Sequence, residues 1–75
     1  MWKIDKEATG LAIKQKCSEV GYGPKELSEY FNVTLTIPYL WFNGDVMPKL
    51  DNLVTLCKLC NCKVDDLLVV EEEDM

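Results

Sequence analysis

Seventy-five residues make one domain, and a chain this short buries too little surface to be more than marginally stable. Thirteen acidic residues against eight basic give a net charge of −5, with no histidine. That excludes histidine-based catalysis and withholds the basic excess that usually carries nucleic-acid affinity. No stretch approaches the roughly 20 apolar residues that span a bilayer, and Met1 to Lys6 lack the basic-then-apolar layout of a signal peptide, so a cytoplasmic chain with no membrane partner is expected.

Asp5 is a suitable N-cap, because its side chain can accept from the free amides of a first helical turn. It predicts a first helix running to about Val20. Thr9, Ile13, Cys17 and Val20 recur at three- and four-residue spacing and form its inner face. Gly21-Tyr22-Gly23-Pro24 breaks it, since glycine suits the position past a helix end and proline the first turn of the next helix. A second helix is expected from Pro24 to about Phe31, with Leu27, Tyr30 and Phe31 on one face and Asn32 as its stop. The stretch Thr34 to Asn43 carries β-branched residues that would also suit a strand, and Gly44 ends it.

After Pro48 a helix is expected from about Lys49 to Cys60, with Leu50, Leu53, Leu56, Cys57 and Cys60 inward and Asn61 closing it. A last short helix, about Val64 to Leu68, has Asp65 and Asp66 near its positive end. Residues 1–70 thus form one compact all-α domain. Glu71 to Asp74 hold four of the thirteen acids, and without them the chain is nearly neutral. Residues 71–75 read as a frayed, solvated acidic tail. Trp2 is expected to pack on the core.

Four cysteines stand at positions 17, 57, 60 and 62. Disulfides belong to secreted chains of this size, so reduced thiols are expected. Cys57, Cys60 and Cys62 make a C-x-x-C-x-C string. Zinc or a redox pair is one reading of that string. The other is that cysteine acts as a small buried hydrophobe on the inner face of its helix, and on that reading there is no metal and no cofactor. The chain has no nucleophile–base pair and no glycine-rich phosphate loop, so an enzyme is not expected.

Five short helices in this order resemble the Cro/lambda-repressor-like (Xre-type) helix-turn-helix family, over about Ile13 to Leu68. The resemblance is carried by Val20-Gly21 before the second helix and by Leu27-Ser28-Glu29-Tyr30-Phe31-Asn32-Val33. It continues through Thr34, the pair Trp41 and Gly44, then Pro48-Lys49-Leu50-Asp51-Asn52-Leu53 and Asp65-Asp66-Leu67-Leu68. It implies that Thr34 caps a recognition helix at about 35–42. Two departures stand out. Pro38 falls where the family has an apolar residue such as Ile, so the helix either starts late, near Thr36, or is distorted. Cys17 and Phe42 replace an Arg–Glu ion pair that many members carry. Losing both charges together is physically coherent, because one buried charge left alone would cost on the order of 3–5 kcal/mol. The two are expected to pack against each other.

The resemblance implies a small DNA-binding transcriptional regulator that inserts this helix into the major groove of double-stranded DNA, as a homodimer. The residues placed toward DNA are Thr34, Leu35, Thr36, Tyr39 and Leu40, with Asn43 and Lys25 toward the backbone and Asp45 opposing it. Two leucines among them depart from the Arg, Lys, Asn and Gln that read base edges. The alternative is a protein-interaction module that has kept the fold and lost DNA readout, meeting a protein partner through an exposed patch of Tyr39, Leu40 and Phe42.

Overall fold

The computed structural model describes residues 1–74. Its five helices are α1 (Lys6–Glu19), α2 (Pro24–Phe31), α3 (Thr36–Asn43), α4 (Leu50–Cys60) and α5 (Val64–Leu67), flanked by two short strands, β1 (Trp2–Ile4) and β2 (Val70–Glu72). Among the described residues no helix is long and apolar enough to cross a membrane.

Local chemistry sets most of the boundaries. The Asp5 carboxylate accepts from the Ala8 amide at 3.0 Å and starts α1. Glu26 Oε1 accepts from the Gly23 amide at 2.9 Å, with Pro24 in the first turn of α2. Asn32 and Asn61 close α2 and α4 in the left-handed conformation, at φ 55° and 51°, which asparagine tolerates better than other side chains. The start of α3 resolves the proline problem. Pro38 is the third residue of a helix that begins at Thr36, so its missing N–H falls in the first turn, where no intrahelical partner exists.

Thr34 does not cap that helix through its side chain. The Ile37 amide is taken by the Thr34 backbone carbonyl at 3.1 Å, and no side chain among the described residues caps α3. The helix starts one residue later than a Thr34 cap requires, with Leu35 in the cap position.

One core gathers Ile13 and Cys17 from α1, Leu27 from α2, Trp41 and Phe42 from α3, Leu53, Leu56, Cys57 and Cys60 from α4, and Leu67 from α5. Cys17 and Phe42 therefore share one apolar interior. An edge-on aromatic series reinforces the α2–α3 corner, with Tyr30 5.4 Å from Phe31 and Phe31 5.2 Å from Trp41 between ring centres.

Several expected core positions lie outside. Val20 is the C-cap of α1, where the chain turns away at Gly21, and it is exposed. Leu50 opens α4 and is 78% exposed, because the first residue of the helix lies beyond the surface its neighbours cover. Tyr30 is also exposed.

The ends correct the picture of a frayed tail. β1 and β2 pair antiparallel, with Trp2 opposite Glu72, Lys3 opposite Glu71 and Ile4 opposite Val70. Lys3 Nζ lies 3.6 Å from a Glu71 carboxylate oxygen and 3.8 Å from one of Glu73. Such exposed pairs contribute at most about 1 kcal/mol, so the ribbon is held mainly by its backbone hydrogen bonds. Trp2 belongs to this ribbon and is 65% exposed rather than packed on the core.

Candidate nucleic-acid interface

The face in question is the outer side of α3. Its sequence, Thr36-Ile-Pro-Tyr-Leu-Trp-Phe-Asn43, separates at helical spacing. Pro38, Trp41 and Phe42 are buried and Ile37 is half-buried, while Thr36, Tyr39 and Asn43 are exposed. Burial of this apolar side fixes the rotation of the helix, and the polar strip is left for solvent or a partner.

Its position along the molecule is set by a close backbone approach. A methyl group added at Gly10 would stand 2.6 Å from the carbonyl oxygens of both Trp41 and Phe42. One added at Gly44 would stand 2.6 Å from the Lys6 carbonyl oxygen, at a φ of 79° that already favours glycine. Two glycines, 34 positions apart, let α1 lie directly on the C-terminal turn of α3. Gly44 also ends the helix, and the amides of Asp45 and Val46 both donate to the Leu40 carbonyl, at 3.0 and 3.3 Å.

The expected site residues fall into three groups. Thr34, Leu35, Thr36, Tyr39 and Asn43 are all exposed along one edge from the α2–α3 turn to the end of α3. Leu40 is half-buried. Lys25 is exposed on the first turn of α2, and its own carbonyl accepts the Ser28 hydroxyl at 2.8 Å. Phe42, expected in an exposed patch, is 9% exposed and belongs to the core. It occupies the α1-facing side of the helix, so an apolar surface patch can use Tyr39 and Leu40 but not Phe42.

Lys14 was not apparent from the linear sequence. It shares with Tyr39, Asn43, Tyr22 and Ser18 a cleft of about 280 Å³ where α1, the start of α2 and the end of α3 meet, floored by Phe42. Nothing in the linear sequence relates position 14 to position 43; only the α1–α3 crossing at Gly10 brings them to one cleft.

Electrostatically, α3 carries no charged side chain. Lys14 and Lys25 supply positive charge beside it, and the exposed Asp45 supplies negative charge just past its end. What the edge offers chemically is a row of neutral hydrogen-bonding groups, three hydroxyls (Thr34, Thr36, Tyr39) and one amide (Asn43), with Leu35 and Leu40 alongside. Hydroxyls and amides can both donate and accept.

The cysteines lie elsewhere, along the seam of α1 with α4. All four are free thiols, with Cys17, Cys57 and Cys60 buried and Cys62 half-buried. Burial pushes every one of them above the ordinary thiol range, Cys17 most strongly. Among the described residues no group of three or more His, Cys, Asp or Glu side chains is arranged to hold a metal ion.

Comparison of the chain with protein-family models, with curated proteins and with solved structures finds no match.

Proposed function

We propose that the chain is a small DNA-binding regulator of the Cro/lambda-repressor type that lays α3 in the major groove. The observation that carries this reading is the unbroken exposed edge of Thr36, Tyr39 and Asn43 on a short helix locked to its neighbours by the Asn32 turn and the Gly10–Gly44 crossing. A rigidly held helix with its polar edge outward suits base contacts, because a donor or acceptor displaced by an ångström no longer pairs. In this reading Thr36 and Tyr39 face base edges, Leu35 and Leu40 contact thymine methyls, Asn43 meets the sugar-phosphate backbone, and Lys14 and Lys25 meet phosphates. Two copies act together, since one such module buries little surface.

Selection of bound sequences from random duplex DNA tests it, followed by titration of the enriched sequence at several salt concentrations. An enriched motif is expected, with a salt slope near −2 for each copy, as two lysines release about that many counterions. Selection that enriches no sequence would overturn the proposal.

The absence of charge on α3 favours a second reading, in which the same edge meets a protein through Leu35, Tyr39 and Leu40. Binding of that kind would change little with salt.

A further inference from the structure

The Cys17 and Cys60 thiols are neighbours in space although 43 residues separate them in the chain, with their sulfurs 3.6 Å apart. Cys17 sits in the last turn of α1 and Cys60 is the last residue of α4. Cys17 is fully buried and Cys60 is 7% exposed. We propose that this pair is an oxidisable dithiol, which hydroperoxides convert to a disulfide joining α1 to α4.

A disulfide needs its sulfurs about 2.05 Å apart, so the two must close by roughly 1.5 Å, a distance that rotation of two short side chains can supply. The product suits its site. A disulfide carries no charge, so forming it at the buried seam has none of the desolvation penalty that two thiolates or a bound ion would bring.

The pair is chemically unequal. The two sulfurs share one weak hydrogen bond in which either thiol can donate, and burial pushes both thiols up, Cys17 the more strongly. Cys60 is also the one nearer solvent. It therefore ionises first and attacks the peroxide oxygen. The O–O bond breaks, Cys60 becomes a sulfenic acid, and the departing alkoxide or hydroxide takes up the proton that Cys60 released. The Cys17 sulfur then displaces the sulfenic hydroxyl, which leaves as water with the Cys17 proton. Two thiols supply the two electrons the peroxide gains. Because both thiols are mostly protonated and shielded, the reaction is slow beside that of an exposed, low-pKa thiol.

The bond closes a ring that contains all of α2 and α3, which restrains the unfolded chain. Treating the whole chain with hydrogen peroxide at neutral pH, then blocking free thiols with N-ethylmaleimide, tests the proposal. The intact mass is expected to fall by two hydrogen atoms before the blocking step, and the oxidised chain, blocked under denaturing conditions, to take up two maleimides rather than four. Trypsin should then yield peptide 17–25 linked to peptide 59–63. The second peptide holds both Cys60 and Cys62, so fragmentation of the linked pair, and its persistence in Cys62→Ser, assign the bond to Cys60. The oxidised protein should melt on the order of 10 °C higher than the reduced one. An unchanged mass, oxidation of single cysteines to sulfinic acid, or a bond made by Cys57 or Cys62 instead would overturn the proposal.

Discussion

Thr9 is the one buried polar side chain of the core among the described residues, and it works by exchanging hydrogen bonds with a residue 60 positions away. Its hydroxyl accepts from the Val69 amide at 2.9 Å and donates to the Val69 carbonyl at 3.3 Å. The Val69 carbonyl also accepts from the Asp5 amide at 2.8 Å. In the sequence Thr9 reads only as a member of the inner face of the first helix, because spacing places a residue on a face and is silent about the partner of its hydroxyl. Thr9→Val keeps shape and volume but leaves the Val69 amide without an acceptor. It is expected to destabilise the domain by about 1–3 kcal/mol, the range for an unpaired buried donor, as read from urea unfolding. Thr9→Ser, which keeps the hydroxyl, should lose less.

At the level of elements, helix ends were the most legible part of the chain. Asp5, Pro24, Asn32, Gly44 and Asn61 act through their own backbone preferences or within a few residues of themselves, so the sequence alone places them. The ribbon was not legible. Three-residue strands carry no usable alternation, and Trp2 and Glu72 are opposite each other only because α1 and α5 bring the two ends together. The candidate interface was legible in its exposed residues and illegible at Lys14 and Phe42, whose placement depends on how α1 crosses α3. That crossing makes Gly10 the most informative position to change. In an isolated helix Gly10→Ala would stabilise by about 1 kcal/mol. Here the new methyl meets two backbone carbonyls that have no rotamer to relax into, and overpacking of this kind typically costs about 1–3 kcal/mol. A net loss of stability is expected by thermal melting, and a gain would show that α1 can move off α3.

Considered as a whole, the molecule sets two opposing electrostatic conditions. Folding holds four thiols in their protonated form, since each is raised above its ordinary value by burial. Below the unfolded value of about 8.5 both states keep these protons and the contribution to stability is complete. As pH rises past it, the unfolded chain releases protons that the folded chain retains, and stability falls. Under reducing conditions the melting temperature is expected to drop between pH 8 and 10, and to drop less in Cys17→Ser. The second condition is the net charge of −5, which opposes approach to any polyanion. Asp45 lies nearest the end of α3. If the edge meets DNA, Asp45→Lys should strengthen binding several-fold in dilute salt, and the gain should fade as counterions compete. A folded Asp45→Lys variant whose DNA binding is unaltered at every salt concentration would assign the edge to the protein-partner reading.

The terminal ribbon also makes the order of the helices along the chain separable from their order in space. The Glu73 amide donates to the Met1 carbonyl at 2.7 Å, so the two ends can be joined by a few glycines without disturbing the core. New ends opened at the exposed Gly21, where an added side chain would meet nothing within 4 Å, would turn α1 from the first helix of the chain into the last. Such a circular permutant is expected to keep the helical circular-dichroism spectrum and a single cooperative melt. It would also place α2 and α3 at the start of the chain, ahead of the helix that positions them.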